Sequence, residues 1–158
     1  MERDGDLTLR VQLYYWRDHL DAVEELGLAT NAGDGVQFGG IKTFSDGSIG
    51  ARTARLTEPY ADAPDERGEW VVDPDELRDL AARVDGLDLR LATHAIGGEA
   101  VDATLDAYGG TDAPGAERYR VEHVELASDE AIERMADDGA VASVQPNFLK
   151  WADEGGLY

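Results

Sequence analysis

The sequence predicts an α/β fold made of parallel βα repeats. Two observations carry this prediction. Five segments show the apolar or alternating pattern of β-strands, and amphipathic segments with helix start and stop signals lie between them. Strands that alternate with helices form right-handed βαβ units, and such units build a parallel sheet.

The five predicted strands are recognised by two kinds of pattern. Residues 7–13 alternate apolar and polar side chains, whereas residues 140–144 are apolar on both faces, as expected for a strand buried in a parallel sheet. The predicted strands cover residues 7–13, 36–44, 87–94, 119–124 and 140–144.

The predicted helices are marked mainly by their ends. The clearest start has Asp73 as the capping residue, Pro74 at the first helical position and Glu76 three residues after the cap. Glycines end the helices. The predicted helices cover residues 18–26 and 73–86, a segment that follows Gly97-Gly98 and ends at Gly109, and a segment that Ser128 caps and Gly139 ends. The connection 50–72 has little periodicity, and connections of that length are often functional.

The charge of the chain excludes several partners. There are 34 acidic residues against 14 basic ones, a net charge of −20, so the chain repels nucleic acid and anionic membranes. The acids are spread over the whole chain, which indicates a surface adapted to very high salt. There is no cysteine, no signal peptide at the N-terminus and no apolar run of membrane-spanning length, so we expect a cytoplasmic location.

Two of the three histidines fall at predicted strand ends. His94 closes the third strand and His123 lies near the end of the fourth. In parallel α/β folds the chemistry sits at the C-terminal ends of strands, and neighbouring strands lie about 4.8 Å apart. Two such imidazoles can share one metal ion at about 2.0–2.1 Å each. The third histidine, His19, falls on a helix and is interpreted as structural.

Lys42 lies near the end of the second predicted strand, in a chain with 12 arginines and only two lysines. It could form an ion pair with Asp46, which lies just beyond it. Carbamylation by carbon dioxide, however, requires an amine and is closed to arginine. The glycine-bearing segment 45–50 could also cradle a phosphate, but it matches neither the P-loop nor the dinucleotide fingerprint.

Four segments together resemble one family, the YtcJ-like branch of the amidohydrolase superfamily, also called the amidohydrolase 3 family. The likeness covers nearly the whole chain. The segments are 40–54 with Glu58, Pro59 and Tyr60 downstream, 94–97 (His-Ala-Ile-Gly), 120–123 (Arg-Val-Glu-His) and 143–148 (Ser-Val-Gln-Pro-Asn-Phe).

The resemblance implies a (β/α)₈ barrel with a metal centre at its C-terminal mouth and a small-molecule, amide-type substrate hydrolysed at a C–N bond. It implies Lys42 as a metal ligand that can be carbamylated, and His94 and His123 as metal histidines; the divalent ion would be zinc. The family's His-X-His pair and its aspartate general base have no counterpart here, so no catalytic residue is assigned. A complete barrel takes about 250 residues, and residues 1–158 are expected to form a single partial barrel domain with about strands three to seven.

The leading functional hypothesis is therefore a metal-dependent hydrolase with an incomplete active site, inactive as an isolated chain and cut from a longer enzyme. Arg52, Arg55 and Tyr60 of the long connection are expected to border the substrate. The alternative is a non-catalytic truncated remnant, or a regulatory or binding module of the same fold. Open barrel edges also predict self-association.

Overall fold

The computed structural model describes residues 7–111 and 119–151, and within these ranges it contains five strands and four α-helices. Two short 3-10 helices, Arg17–His19 and Pro146–Trp151, accompany them. The strands are β1 (Val11–Trp16), β2 (Val36–Phe44), β3 (Leu91–Ala95), β4 (Tyr119–His123) and β5 (Val141–Ser143). The helices are α1 (Leu20–Glu25), α2 (Pro74–Gly86), α3 (Gly98–Gly109) and α4 (Asp129–Asp138).

The strands form one parallel sheet in the order β1-β2-β3-β4-β5, so each strand pairs with its neighbours in the chain. This confirms the predicted α/β fold of parallel βα repeats. The sequential order is that of consecutive units in a (β/α)₈ barrel, where every strand is followed by a helix and then by the adjacent strand.

Two glycines, Gly39 and Gly40, lie at an irregularity in the pairing of β1 with β2. The register shifts by one residue there, so that Leu13 pairs with Phe38 while Tyr14 pairs with Gly40. A Cβ atom on Gly39 would lie 2.6 Å from the Tyr14 ring. Gly40 has a φ of +143°, and a Cβ atom on it would lie 2.5 Å from the carbonyl oxygen of Arg90, the residue before β3. Glycine is therefore required at position 40, whereas a Cβ atom at position 39 would require the Tyr14 ring to move.

The helix ends follow the predicted signals closely. The Asp73 side chain accepts a hydrogen bond from the amide of Asp75 at the start of α2, and Ser128 accepts one from Ala131 at the start of α4. Gly139 ends α4 in the left-handed conformation, with a φ of 69°. Orphan amides and carbonyls at these termini are thus satisfied locally.

The predicted limits of two strands, β1 and β3, are wrong. β1 begins at Val11 and reaches Trp16, whereas the sequence predicted residues 7–13. The third strand begins at Leu91, four residues later than predicted, because Asp88, with a φ of 57°, still belongs to the turn after α2. The extent of both strands follows their pairing with β2, which the alternation of side chains does not reveal.

The hydrophobic core lies between the sheet and the helices. Side chains that alternate toward the helices are fully buried, among them Ile41 on β2, Leu91 on β3 and Tyr119 on β4. The opposite face of the sheet carries Lys42 and His94. No helix in the described part of the chain is long and apolar enough to cross a membrane.

Candidate metal centre

The two strand-end histidines lie against each other. The imidazole of His94, on β3, and that of His123, at the end of β4, have their ring centroids 4.5 Å apart and meet edge to face. Strand register pairs His94 with Glu122 and Ala95 with His123. The predicted juxtaposition of the two imidazoles is therefore present at the carboxyl edge of the sheet.

The backbone at His123 departs from strand geometry. Its φ is 80°, and that of Val124 is 53°. Residues other than glycine rarely adopt positive φ, and for the β-branched Val124 the conformation is strained. Regular alternation would turn His123 to the face opposite Glu122; the left-handed turn instead directs its ring toward His94.

His94 is held as a neutral imidazole. Its Nε2 atom lies 2.7 Å from the carbonyl oxygen of Gly47 and 3.5 Å from Oδ1 of Asp46. Burial lowers the pKa of His94 to about 4, although the hydrogen bond to Gly47 opposes the shift. A nitrogen that faces a carbonyl must carry the proton, so the Nδ1 atom keeps its lone pair.

His123 has the complementary arrangement. Its Nδ1 atom lies 2.7 Å from the side-chain oxygen of Gln145, just beyond β5. Donation from Nδ1 to this oxygen leaves the lone pair on Nε2. Gln145 was not singled out as a site residue in the sequence, although its position after the last strand is where side chains reach the mouth of such a fold.

Lys42 lies on the same face of the sheet. Its ammonium donates a hydrogen bond to the Thr43 carbonyl at 2.7 Å and lies 4.5 Å from the centroid of the Phe44 ring. Burial lowers the pKa of Lys42 to about 8, and the charge of Glu122 partly opposes this shift. A larger fraction of the amine is therefore neutral near pH 7 than in an ordinary lysine.

A partly buried ion pair lies close to Lys42. Arg120 donates from Nε to the Glu122 carboxylate at 2.8 Å. Burial raises the pKa of Glu122, but hydrogen bonds from Arg120 and Ser143 outweigh it, so that the pKa stays below its usual range. Glu122 is therefore an ionised neighbour of Lys42, which the sequence did not identify.

The proposed substrate residues lie in the connection between β2 and α2. Arg52 and Arg55 line a cavity of about 520 Å³ in this segment. Arg52 also pairs with Asp62 at 2.6 Å and Arg55 with Glu99 at 2.8 Å. Tyr60 is buried, and its hydroxyl donates to the Ala54 carbonyl at 2.8 Å. The structure thus brings the two arginines to one cavity and places the Tyr60 hydroxyl in an internal hydrogen bond.

The donor set decides what the centre can hold. Within residues 7–111 and 119–151, no group of three or more His, Cys, Asp or Glu side chains is placed to hold a metal ion. The two imidazoles can offer two nitrogen ligands, and Lys42, on the same face of the sheet, is the third ligand that the sequence analysis predicted. A metal would fit these residues only if Lys42 completed the set.

Comparison with known proteins assigns the class and then the family. Solved structures of metal-dependent hydrolases share the fold: an uncharacterized metal-dependent hydrolase from Pyrococcus furiosus matches with a TM-score of 0.85 and 41% identity over 96% of this chain. One from Pyrococcus horikoshii OT3 matches with a TM-score of 0.85 and 39% identity over 95%. The model of the amidohydrolase family matches residues 1–157, and the chain belongs to this family.

The curated relatives are much longer than the matched region. The chain is 32% identical over 145 residues to Putative amidohydrolase YtcJ of Bacillus subtilis (strain 168), which covers 92% of this chain and 27% of that protein. It is 38% identical over 117 residues to Protein LONG AFTER FAR-RED 3 of Arabidopsis thaliana, covering 72% of this chain and 20% of that protein. Of each Pyrococcus structure it covers 31%.

Proposed function

We propose that this chain carries part of the metal centre of a metal-dependent hydrolase that cleaves C–N bonds in small amide-type substrates. The observation that carries the proposal is the His94–His123 pair, whose centroids lie 4.5 Å apart. The hydrogen bonds to Gly47 and Gln145 assign one lone pair to each imidazole. Metal-binding histidines commonly donate their second nitrogen in this way.

Zinc fits these nitrogen donors. Zn²⁺ takes imidazole ligands, and its catalytic sites hold three protein ligands with one position open. Lys42 supplies the third ligand, and its lowered pKa favours the neutral amine that both coordination and carbamylation need. When bound, such a metal lowers the pKa of its water toward ~7 and polarises the substrate carbonyl.

The residues of this chain would hold the metal and orient the substrate. None of them is assigned to proton transfer. Arg52 and Arg55 are proposed to border the substrate from the connection between β2 and α2, with Tyr60 holding that segment in place through the Ala54 carbonyl. General acid–base help is typically worth about 10²–10⁴ in rate. The chain by itself is therefore expected to bind metal weakly and to hydrolyse amides negligibly.

A second candidate function is a non-catalytic binding or regulatory module. Its support is that no group of three or more His, Cys, Asp or Glu side chains in residues 7–111 and 119–151 is placed to hold a metal ion. Robust amide turnover by the pure chain with added metal would exclude this candidate and would also contradict the incomplete-site proposal.

Calorimetric titration with zinc tests the metal centre. The wild-type chain is expected to bind one equivalent weakly, and His94→Ala and His123→Ala are each expected to abolish the measurable heat. His19→Ala is the matched control, because His19 lies in the 3-10 helix after β1 and is expected to leave affinity unchanged. Equal affinity in the wild type and both site variants removes the assignment of the metal ligands.

A further inference from the structure

Asp46 is a fully buried carboxylate that lies beside the imidazole of His94. Its side chain has 0% exposure, and it lies two residues beyond the end of β2. Oδ1 accepts from the amide of Ile96 at 3.0 Å, and Oδ2 accepts from the amides of Gly97 and Arg55, each at 2.8 Å. One carboxylate therefore joins the turn after β2, the connection 50–72 and the turn between β3 and α3.

The same turn carries the partner of His94. Gly47 follows Asp46 directly, and its carbonyl oxygen lies 2.7 Å from Nε2 of His94. Oδ1 of Asp46 lies 3.5 Å from the same nitrogen. Nε2 of His94 therefore faces two oxygens, the carbonyl oxygen of Gly47 and Oδ1 of Asp46.

The packing around the carboxylate leaves little freedom. A Cβ atom on Gly97 would lie 1.9 Å from the carbonyl oxygen of Arg55, so the two backbones touch at this point. Ser45, just before Asp46, donates from Oγ to the His94 carbonyl at 2.6 Å. The turn is therefore fixed to β3 from both sides of Asp46.

We propose that Asp46 is a positioning residue that holds His94 in the tautomer with its proton on Nε2, so that the lone pair remains on Nδ1 for the metal. The inference rests on the proposed function for the metal, but the tautomer is a property of the chain alone. Fixing the tautomer and orientation of a ligand histidine through its second nitrogen is the general role of outer-shell partners.

An ionised carboxylate suits this task because it accepts hydrogen bonds and donates none. In Asp46→Asn, one of the two oxygens becomes an amide nitrogen, which cannot accept from the backbone amides that face it. At least one buried amide then loses its partner, at a cost comparable to an unmade hydrogen bond. The turn is expected to shift and to release the Gly47 carbonyl from Nε2.

The test is the tautomer of His94 in the metal-free full chain, read from long-range ¹⁵N–¹H spectra of the imidazoles in molar potassium chloride. The chain has three histidines, so His19 and His123 serve as references in the same spectrum. Wild-type His94 is expected to be in the Nε2–H form, and Asp46→Asn is expected to give a mixture of the two tautomers.

Two control variants separate positioning from general loosening. Asp62→Asn makes the same change at an exposed carboxylate of the same connection, and Ser45→Ala removes the hydrogen bond to the His94 carbonyl while leaving Asp46 intact. Both are expected to retain the Nε2–H form. Retention of that form in Asp46→Asn overturns the proposal, and so does its loss in Ser45→Ala to the same extent.

A zinc titration adds the functional readout. Loss of an outer-shell partner typically costs 10–100-fold in metal affinity, so Asp46→Asn is expected to bind zinc about 10–100-fold more weakly than the wild type and Asp62→Asn. Unchanged affinity in Asp46→Asn overturns the role toward the metal. A wild-type chain that binds no zinc overturns the proposed function instead, and the tautomer comparison still decides the role of Asp46.

Discussion

At the scale of single residues, burial controls the chemistry of His94. Burial lowers the pKa of His94 from its ordinary value of 6.5 to about 4, because the charged imidazole would lose hydration inside the protein. Between these two values the unfolded chain binds a proton that the folded chain does not. The free energy of unfolding therefore falls as the pH drops from about 6.5 to about 4.

The His94→Gln variant tests this linkage. Glutamine does not titrate, so the variant is expected to lose less stability than the wild type between pH 7 and pH 4.5. The difference is on the order of 3 kcal/mol at most, from about 1.4 kcal/mol per unit of pKa shift. Urea unfolding at the two pH values measures it, with His19→Gln as the control. Parallel pH profiles for wild type and His94→Gln would contradict the shift.

The sequence was sufficient to place Lys42, His94 and His123 near the ends of their strands, because residue type and position in a strand pattern can both be read from the sequence. Their role as metal ligands stays a prediction. It did not reveal the hydrogen bonds of Asp46, which link residues separated by up to 51 positions. Nor did it reveal the left-handed backbone at His123, since nothing in the residue types there predicts a positive φ.

At the scale of elements, the ends of helices were easier to predict from the sequence than the ends of strands. Local capping sets a helix end, and Asp73, Ser128 and Gly139 act within four residues of their partners. The limits of a strand depend on a partner distant in the chain. β1 covers the residues that find partners in β2, and the alternating pattern at 7–13 extends beyond that pairing.

The close approach of Gly97 to Arg55 gives a prediction about the elements they join. Gly97→Ala would place a Cβ 1.9 Å from the Arg55 carbonyl oxygen and must separate the connection 50–72 from the turn before α3. We expect a loss of about 1–3 kcal/mol in the free energy of unfolding, the usual cost of overpacking. Chemical denaturation measures this loss.

Gly86→Ala is the matched control for this substitution. Gly86 is the last residue of α2, and a Cβ there meets nothing within 4 Å. Because alanine is the better helix former, this variant is expected to be neutral or slightly more stable than the wild type. Equal effects of the two substitutions would show that the contact with Arg55 does not constrain position 97.

At the scale of the whole molecule, charge dominates. A net charge of −20 produces self-repulsion that opposes the compact state, and salt screens it over about 3 Å at 1 M. We predict that the free energy of unfolding rises from low salt to molar salt. Thermal unfolding followed by circular dichroism in 0.1 M and 2 M KCl measures the effect. Equal stability under both conditions would refute the interpretation of the surface as adapted to high salt.

The two outer strands give a second prediction at this scale. In the described sheet, β1 and β5 each pair on one side, and large apolar side chains near them are exposed. The most exposed of these are Leu9, Trp16, Val144 and Leu149. Open apolar edges favour association. We expect light scattering to detect species larger than a monomer in molar salt; a single monomeric species at all concentrations would contradict this.

The sequential strand order also has a consequence for how the chain folds during synthesis. Each strand from β2 to β5 pairs with the strand that precedes it in the chain, so its pairing partner has already been synthesised when the new strand emerges from the ribosome. Because closing a loop costs entropy that grows with its length, the units are expected to join at unequal rates. The connection between β2 and β3 has 46 residues (45–90), whereas the connection between β1 and β2 has 19 (17–35), so β3 is expected to join the sheet more slowly than β2.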